Sequence, residues 1–185
     1  MSQKKMSVIE YLKANGRKLP FGDCYMNKSA IHTGMATVII TKQMSSGKFI
    51  LAAYLLDIYC LGLKSSLLSF DIDAMKKNFI IESFSSNSGK MDKTDVVYLH
   101  NFIYGAINYA RKLGLNPDKS FENSEMILHP DLVDAGINKI EFGYNGKPMY
   151  VQGPDDNVND ILATLNKTVG KENYDFTILV GNNFF

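Results

Sequence analysis

Apolar and polar positions change period several times along the chain, and each period predicts an element. Val8, Ile9, Tyr11 and Leu12 give one apolar side to a helix over Val8–Asn15. Ser7 and Glu10 form an S-x-x-E capping box ahead of it, with Met6 and Tyr11 at the staple positions. Gly16 is placed to stop the helix in the left-handed conformation. Pro20 opens an extended stretch, Phe21–Asn27, and a loop follows through Lys28–Gly34. Ala36–Gln43 (ATVIITKQ) is β-branched and reads as a strand. Ser45-Ser46-Gly47-Lys48 is turn chemistry, and Phe49–Leu61 is the return strand of a hairpin.

That return strand is apolar on both parities. Ile50, Tyr54, Leu56 and Ile58 face one way, and Phe49, Leu51, Leu55, Tyr59 and Leu61 the other. A strand covered on both faces is central in its sheet. Asp57 falls in the second set and Cys60 in the first.

Ser66–Phe70 predicts a short strand, and Asp71 or Asp73 caps a helix through Met75, Phe79 and Ile80. Ser85–Lys93 (SSNSGKMDK) reads as a polar loop and as the best candidate for an internal break. Val96, Leu99, Ile103, Ala106, Ile107, Ala110 and Leu113 repeat at helical spacing over Thr94–Leu113. Asp92 or Thr94 caps that helix, Gly114 ends it, and Arg111 and Lys112 suit its negative end. Gly105 within it marks close approach of another element. Asn145-Gly146 favours a type I′ turn between Lys139–Tyr144 and Lys147–Gln152, a second hairpin. A turn at Pro154–Asp156 leads to a helix through Val158, Ile161, Leu162 and Leu165, and Tyr174–Val180 closes as a strand. The order predicts α+β: a single domain over 1–185 with a mostly antiparallel sheet packed by three or four helices.

Composition narrows the partners. The 185 residues are 45% hydrophobic and 21% charged, enough for a core without disulfides or metal. Twenty basic residues against nineteen acidic ones leave a net charge of +1. Dedicated duplex-DNA binders carry a basic excess, so a nucleic-acid partner is not favoured, although a local patch stays open. Two cysteines without a C-x-x-C pair suit a reducing compartment. No apolar segment follows the N-terminal lysines, and the longest apolar run, Phe49–Leu63, is short and broken by Asp57. The expected setting is cytoplasmic, with no membrane partner.

No nucleotide-binding, zinc-protease or serine-hydrolase fingerprint is present, and three histidines far apart argue against a metal site. No cofactor is expected. Four residues remain as catalytic candidates. Asp57, set among apolar residues, must find donors or a cation, or rise in pKa. It reads as a general acid/base, as a structural acid bonding nearby N–H groups, or as the residue at a bend if the strand ends at Leu56. The last two readings are favoured together. Cys60 with His100 as base and Asp57 as orienter would make a nucleophilic set. Asp57 and Cys60, however, point to opposite faces of a regular strand, and free cysteine is more often buried as a small hydrophobe. His100, Tyr104 and Asn108 recur every fourth residue, which lines a pocket or, in the favoured reading, forms the half-exposed flank of the helix.

CYMN (Cys24–Asn27), GMATVIITK (Gly34–Lys42), YLLDIYCLGLK (Tyr54–Lys64) and HNFIYGAINYARKLGLNPDKSF (His100–Phe121) resemble an uncharacterised family of bacterial proteins. EFGYNGKPMYV and the Val169–Phe176 region are similar too, so the likeness covers most of the chain. Some longer members look as if they carry a SEC-C-type zinc motif, but no cysteine-rich segment stands here, so zinc is not carried over. The resemblance implies a bacterial intracellular protein and supplies no activity. The expected function is a non-catalytic binding or protein-interaction module, an accessory to a bacterial nucleic-acid or defence system. Phe184-Phe185 can dock on the fold or on a second copy as a homodimer. The competing class is a small hydrolase or nuclease using Asp57, Cys60, His100 and Tyr104. An enzyme would gather three of those side chains at one cleft. A binding module would expose an apolar patch.

Overall fold

In the computed structural model, residues 6–27, 29–134 and 140–178 are described. Ser7 caps α1 (Val8–Asn15) through the Glu10 N–H, and the Glu10 carboxylate returns the bond to the Ser7 N–H at 2.8 Å. Gly16 departs from expectation. It is right-handed, and the chain continues into a 3₁₀ turn over Gly16–Lys18. Its value lies in close packing, since a Cβ there would sit 2.6 Å from the Met126 carbonyl oxygen.

β1 (Tyr25–Asn27) follows, then a single helical turn α2 (Ala30–Thr33) where a loop was expected. β2 (Met35–Gln43) and β3 (Phe49–Asp57) form the expected hairpin, in register from Met35↔Asp57 to Gln43↔Phe49. β3 stops at Asp57, four residues short of the expected Leu61. A turn over 58–61 then leads to β4 (Gly62–Ile72), longer than the stretch its sequence suggested. Gly62 makes this return possible. It has a φ of +68°, and a Cβ would lie 2.6 Å from that of Ala110.

Asp73, one of the two caps considered, starts α3 (Ala74–Ser88) by accepting from the Lys76 N–H. The supposed loop at 85–93 is thus largely structured. Ser85–Ser88 finish α3, and β5 (Met91–Lys93) pairs with β1. α4 (Val96–Lys112) is capped by Asp95, not Asp92 or Thr94. It ends in a full Schellman motif, with Leu115 N–H to Ala110 and Gly114 N–H to Arg111. Gly105 packs on Phe142, as its place within the helix suggested.

α5 (Phe121–Ser124), β6 (Met149–Val151), α6 (Val158–Thr168) and β7 (Asp175–Thr177) complete the described elements. The second hairpin does not extend beyond its turn. Asn145 and Gly146 have the positive φ values of a type I′ turn, but Tyr144↔Lys147 is an isolated bridge. Its arms bond the turn after β3 instead, Gly143 N–H to Ile58 and Met149 N–H to Tyr59, while β6 pairs in parallel with β7. Lys139, Val180 and the Phe184-Phe185 docking segment lie outside the described residues.

The fold is α+β, with an antiparallel sheet in the order β4-β3-β2-β1-β5. One face carries Ala36, Val38 and Ile40 with Ile50, Ala52, Tyr54 and Leu56. It packs on Leu99, Phe102, Ile103, Ala106 and Ile107 of α4. The other face, Ile39, Leu51 and Ala53, packs on Ile80 of α3. Among the described residues no helix is long and apolar enough to cross a membrane.

Candidate functional site

Asp57 ends β3 and folds back on its own turn. Its Oδ1 accepts from the Tyr59 N–H at 2.8 Å and the Cys60 N–H at 3.0 Å. Ile58 donates to the Gly34 carbonyl and anchors the turn to α2. Burial raises the Asp57 pKa, opposed by those N–H groups and by the Lys64 charge. The geometry is therefore that of a bend with a local acceptor.

Of the other three candidates, Cys60 lies beside it through its backbone N–H, whereas no hydrogen bond or ring contact among the described residues joins His100 or Tyr104 to either. Parity no longer governs Cys60, because the strand has ended, yet the residue is fully buried among Leu113, Tyr150 and Leu165. Burial, then the Asp57 and Asp156 charges, push its thiol up to about 12, far from a nucleophile's range. His100 and Tyr104 are buried rather than half-exposed, and only Asn108 of that stripe faces solvent. The reason is long-range. Phe21, Phe121 and His129, from outside α4, cover the flank. His100 Nδ1 donates to the Val96 carbonyl at 2.7 Å, and among the described residues neither its Nε2 nor Tyr104 Oη has a hydrogen-bond partner. Burial lowers the His100 pKa and raises that of Tyr104, the latter helped by the Glu125 carboxylate.

Beside His100 lies a residue the sequence reading passed over. Lys42 is fully buried on the α4 side of β2, its ammonium donating to the Leu19 carbonyl and to His129 Nε2, both at 2.9 Å. It stands 3.4 Å over the Phe21 ring. Burial lowers its pKa to about 8. The signal was present in ATVIITKQ: Ala36, Val38, Ile40 and Lys42 share one parity, so the face that carries the core carries the lysine.

A second polar centre was not legible at all. The register changes from Leu56↔Leu63 to Leu55↔Ser65, which makes Lys64 the extra residue of a β-bulge. The bulge aims its ammonium at Asp156, 2.8 and 3.1 Å from the two carboxylate oxygens. Asp156 also accepts from Gly153 N–H at 2.7 Å and Tyr150 Oη at 3.3 Å. Burial works to raise the Asp156 pKa, but the Lys64 ammonium and the Gly153 N–H hold it below the usual range. Among the described residues no three His, Cys, Asp or Glu side chains gather as a metal centre would need.

Open space is found where α3 runs out. Ser88 reaches Thr37, Oγ to Oγ1 at 3.1 Å. The next row of that face, Met35↔Asp57, has α2 and β6 as walls, and among the described residues no other helix lines the space over it. The result is a groove of about 310 Å³ lined mainly by Met35, Leu55, Tyr59, Met149, Val151 and Pro154, with Asp57 at its base. Two exposed apolar side chains line it, Met35 at 36% and Val151 at 49%, and the exposed Tyr144 lies against the lining residue Tyr59, the two rings tilted at 58°. No family model, curated protein or solved structure matches the chain.

Proposed function

We propose that this chain is a non-catalytic binding module that holds an apolar stretch of a partner protein in the groove beside Asp57. Exposed Met35 and Val151 on a concave apolar surface, with exposed Tyr144 against its lining residue Tyr59, carry the reading. Scattered exposed hydrophobes are ordinary, but several around one concavity mark an interaction site. The separation of His100 and Tyr104 from the neighbouring Asp57 and Cys60 supports it further. Asp57 serves its turn, Cys60 packs in the core under α6, and His100 and Tyr104 are covered by Phe21 and Phe121. The hydrolase alternative needs three of them at one point. The bacterial intracellular setting implied by the sequence resemblance belongs to this reading.

Val151→Glu and Met35→Glu test it, because both side chains are exposed and neither change burdens the core. The wild type and each variant are immobilised, exposed to a bacterial lysate, and their retained proteins identified by mass spectrometry. A protein held by the wild type and lost by both variants is the expected outcome. Retention of the same set by all three would reject the groove as the binding surface.

A further inference from the structure

The groove is the middle of a longer trench. At one end it shares Thr33, Met35 and Leu55 with a polar cavity of about 260 Å³ bounded by Asn27, Asn87 and Ser88. At the other it shares Leu55, Lys64 and Pro154 with a cavity of about 480 Å³ that contains Asn116, Asp118, Asp155 and Asp156. Each cavity has room for one or two side chains. A helix about 10 Å across needs more room than any one of them gives, so an extended chain suits the run.

The charge along the trench is predominantly acidic. Asp57, Asp118, Asp155 and Asp156 line it, and Lys64 is the one basic side chain there among the described residues. Lys64 is committed to Asp156, whereas neither Asp118 nor Asp155 forms an ion pair among the described residues. Hydrogen bonds from the Ser120 hydroxyl and N–H lower the Asp118 pKa and keep it ionised. The far end receives the C-terminus of α3, which has no basic residue in its last turn and so presents the negative pole of that helix.

We propose that the trench receives an extended peptide segment carrying an apolar side chain close to a lysine or arginine. The apolar group fills the groove at Met35 and Val151, and the cation stands against Asp118 and Asp155. The inference rests on the binding reading above and adds the chemistry of the partner. A nucleic-acid strand, with its phosphates, is repelled by the same surface.

A phage-displayed library of random nonapeptides, panned on the immobilised wild-type chain and counter-selected on Val151→Glu, separates the two claims. Circular dichroism melting first confirms that Val151→Glu folds like the wild type. The expected enriched peptides pair an apolar residue with Lys or Arg and are depleted in Asp and Glu. A synthetic peptide of that kind should bind Asp118→Asn and Asp155→Asn roughly two- to five-fold more weakly each, with the loss shrinking as salt is raised. Enrichment of neutral or acidic peptides, or equal binding to the Asn variants, overturns the basic partner and leaves the apolar groove standing. Displacement of the peptide by a single-stranded oligonucleotide at the same site also overturns it. If no peptide distinguishes the wild type from Val151→Glu, the groove reading falls and the inference with it.

Discussion

Replacing Lys42 with Met should stabilise the protein near neutral pH and destabilise it in strong base. The lysine is fully buried and forms no ion pair with a carboxylate among the described residues; its neighbours are the Leu19 carbonyl, His129 Nε2 and the Phe21 ring. A lysine whose pKa falls from 10.5 to about 8 on folding costs about 3 kcal/mol wherever it is charged in both states. The Phe21 face returns about 1–2 kcal/mol to a desolvated cation, so about 1–2 kcal/mol of cost remains. Methionine keeps the unbranched length and removes the charge, but deprives the Leu19 carbonyl of its donor, a loss of about 1 kcal/mol. The expected gain near pH 7 is therefore between nothing and about 1 kcal/mol.

The pH dependence is the sharper reading. Because the folded pKa is depressed, the unfolded chain binds more protons within the range from about pH 8 to 10.5, narrowed from its lower end by the Phe21 face, and wild-type stability rises there. The cost is fully present below the folded pKa and has gone above the unfolded one. Lys42→Met has no such rise. Above the window it lacks a hydrogen bond that the neutral amine still makes, so it should be less stable than the wild type by about 1 kcal/mol. Urea unfolding of both proteins between about pH 7 and pH 10.5 gives the difference, in which the other lysines and tyrosines cancel. A swing of about 1–2 kcal/mol in favour of the wild type is expected. A difference that stays flat across the range would refute the uncompensated charge.

Asp57→Ala should cost about 1–3 kcal/mol by leaving the Tyr59 and Cys60 N–H groups without an acceptor. Asp57→Asn keeps that oxygen and should cost far less, so equal losses in thermal unfolding would dismiss the turn role. Cys24 and Cys60 are both buried with raised pKa values, and a thiol reagent near pH 8 should label neither until denaturant is added. Rapid native labelling of Cys60 would revive the nucleophile. His129 has its pKa lowered by burial and by the Lys42 charge. The unfolded imidazole thus binds its proton first, and stability should fall as pH drops below about 6.5. His129→Asn should shrink that fall, and an unchanged acid limb in urea titrations would exclude the pairing with Lys42. Gly62→Val should cost several kcal/mol, from a β-branched residue at φ +68° pressed on Ala106 and Ala110; wild-type-like melting would contradict the contact.

What the sequence made legible was local. The Ser7–Glu10 box, the β2–β3 hairpin, the α4 periodicity and the Asn145-Gly146 turn all follow from residues within a few positions of one another, and all appear. The misreadings share a different cause. Asn145-Gly146 dictated its turn but not its neighbours, because the arms found better partners in Ile58 and Tyr59, more than 80 residues earlier. His100 and Tyr104 look amphipathic on the helix alone and become buried only when Phe21, Phe121 and His129 close over them. The groove is more distant still from any sequence signal, because it exists where α3 stops short of the Met35↔Asp57 row and β6 stands opposite. Asp57 joins the two scales. A strand that ends in an Asx-type turn is a local event, whereas the space above that turn depends on which element arrives to cover it. An acid whose hydrogen bonds are satisfied locally can sit at the base of an apolar binding surface without becoming a catalyst, and a greasy strand holding one acid is compatible with that outcome from the start.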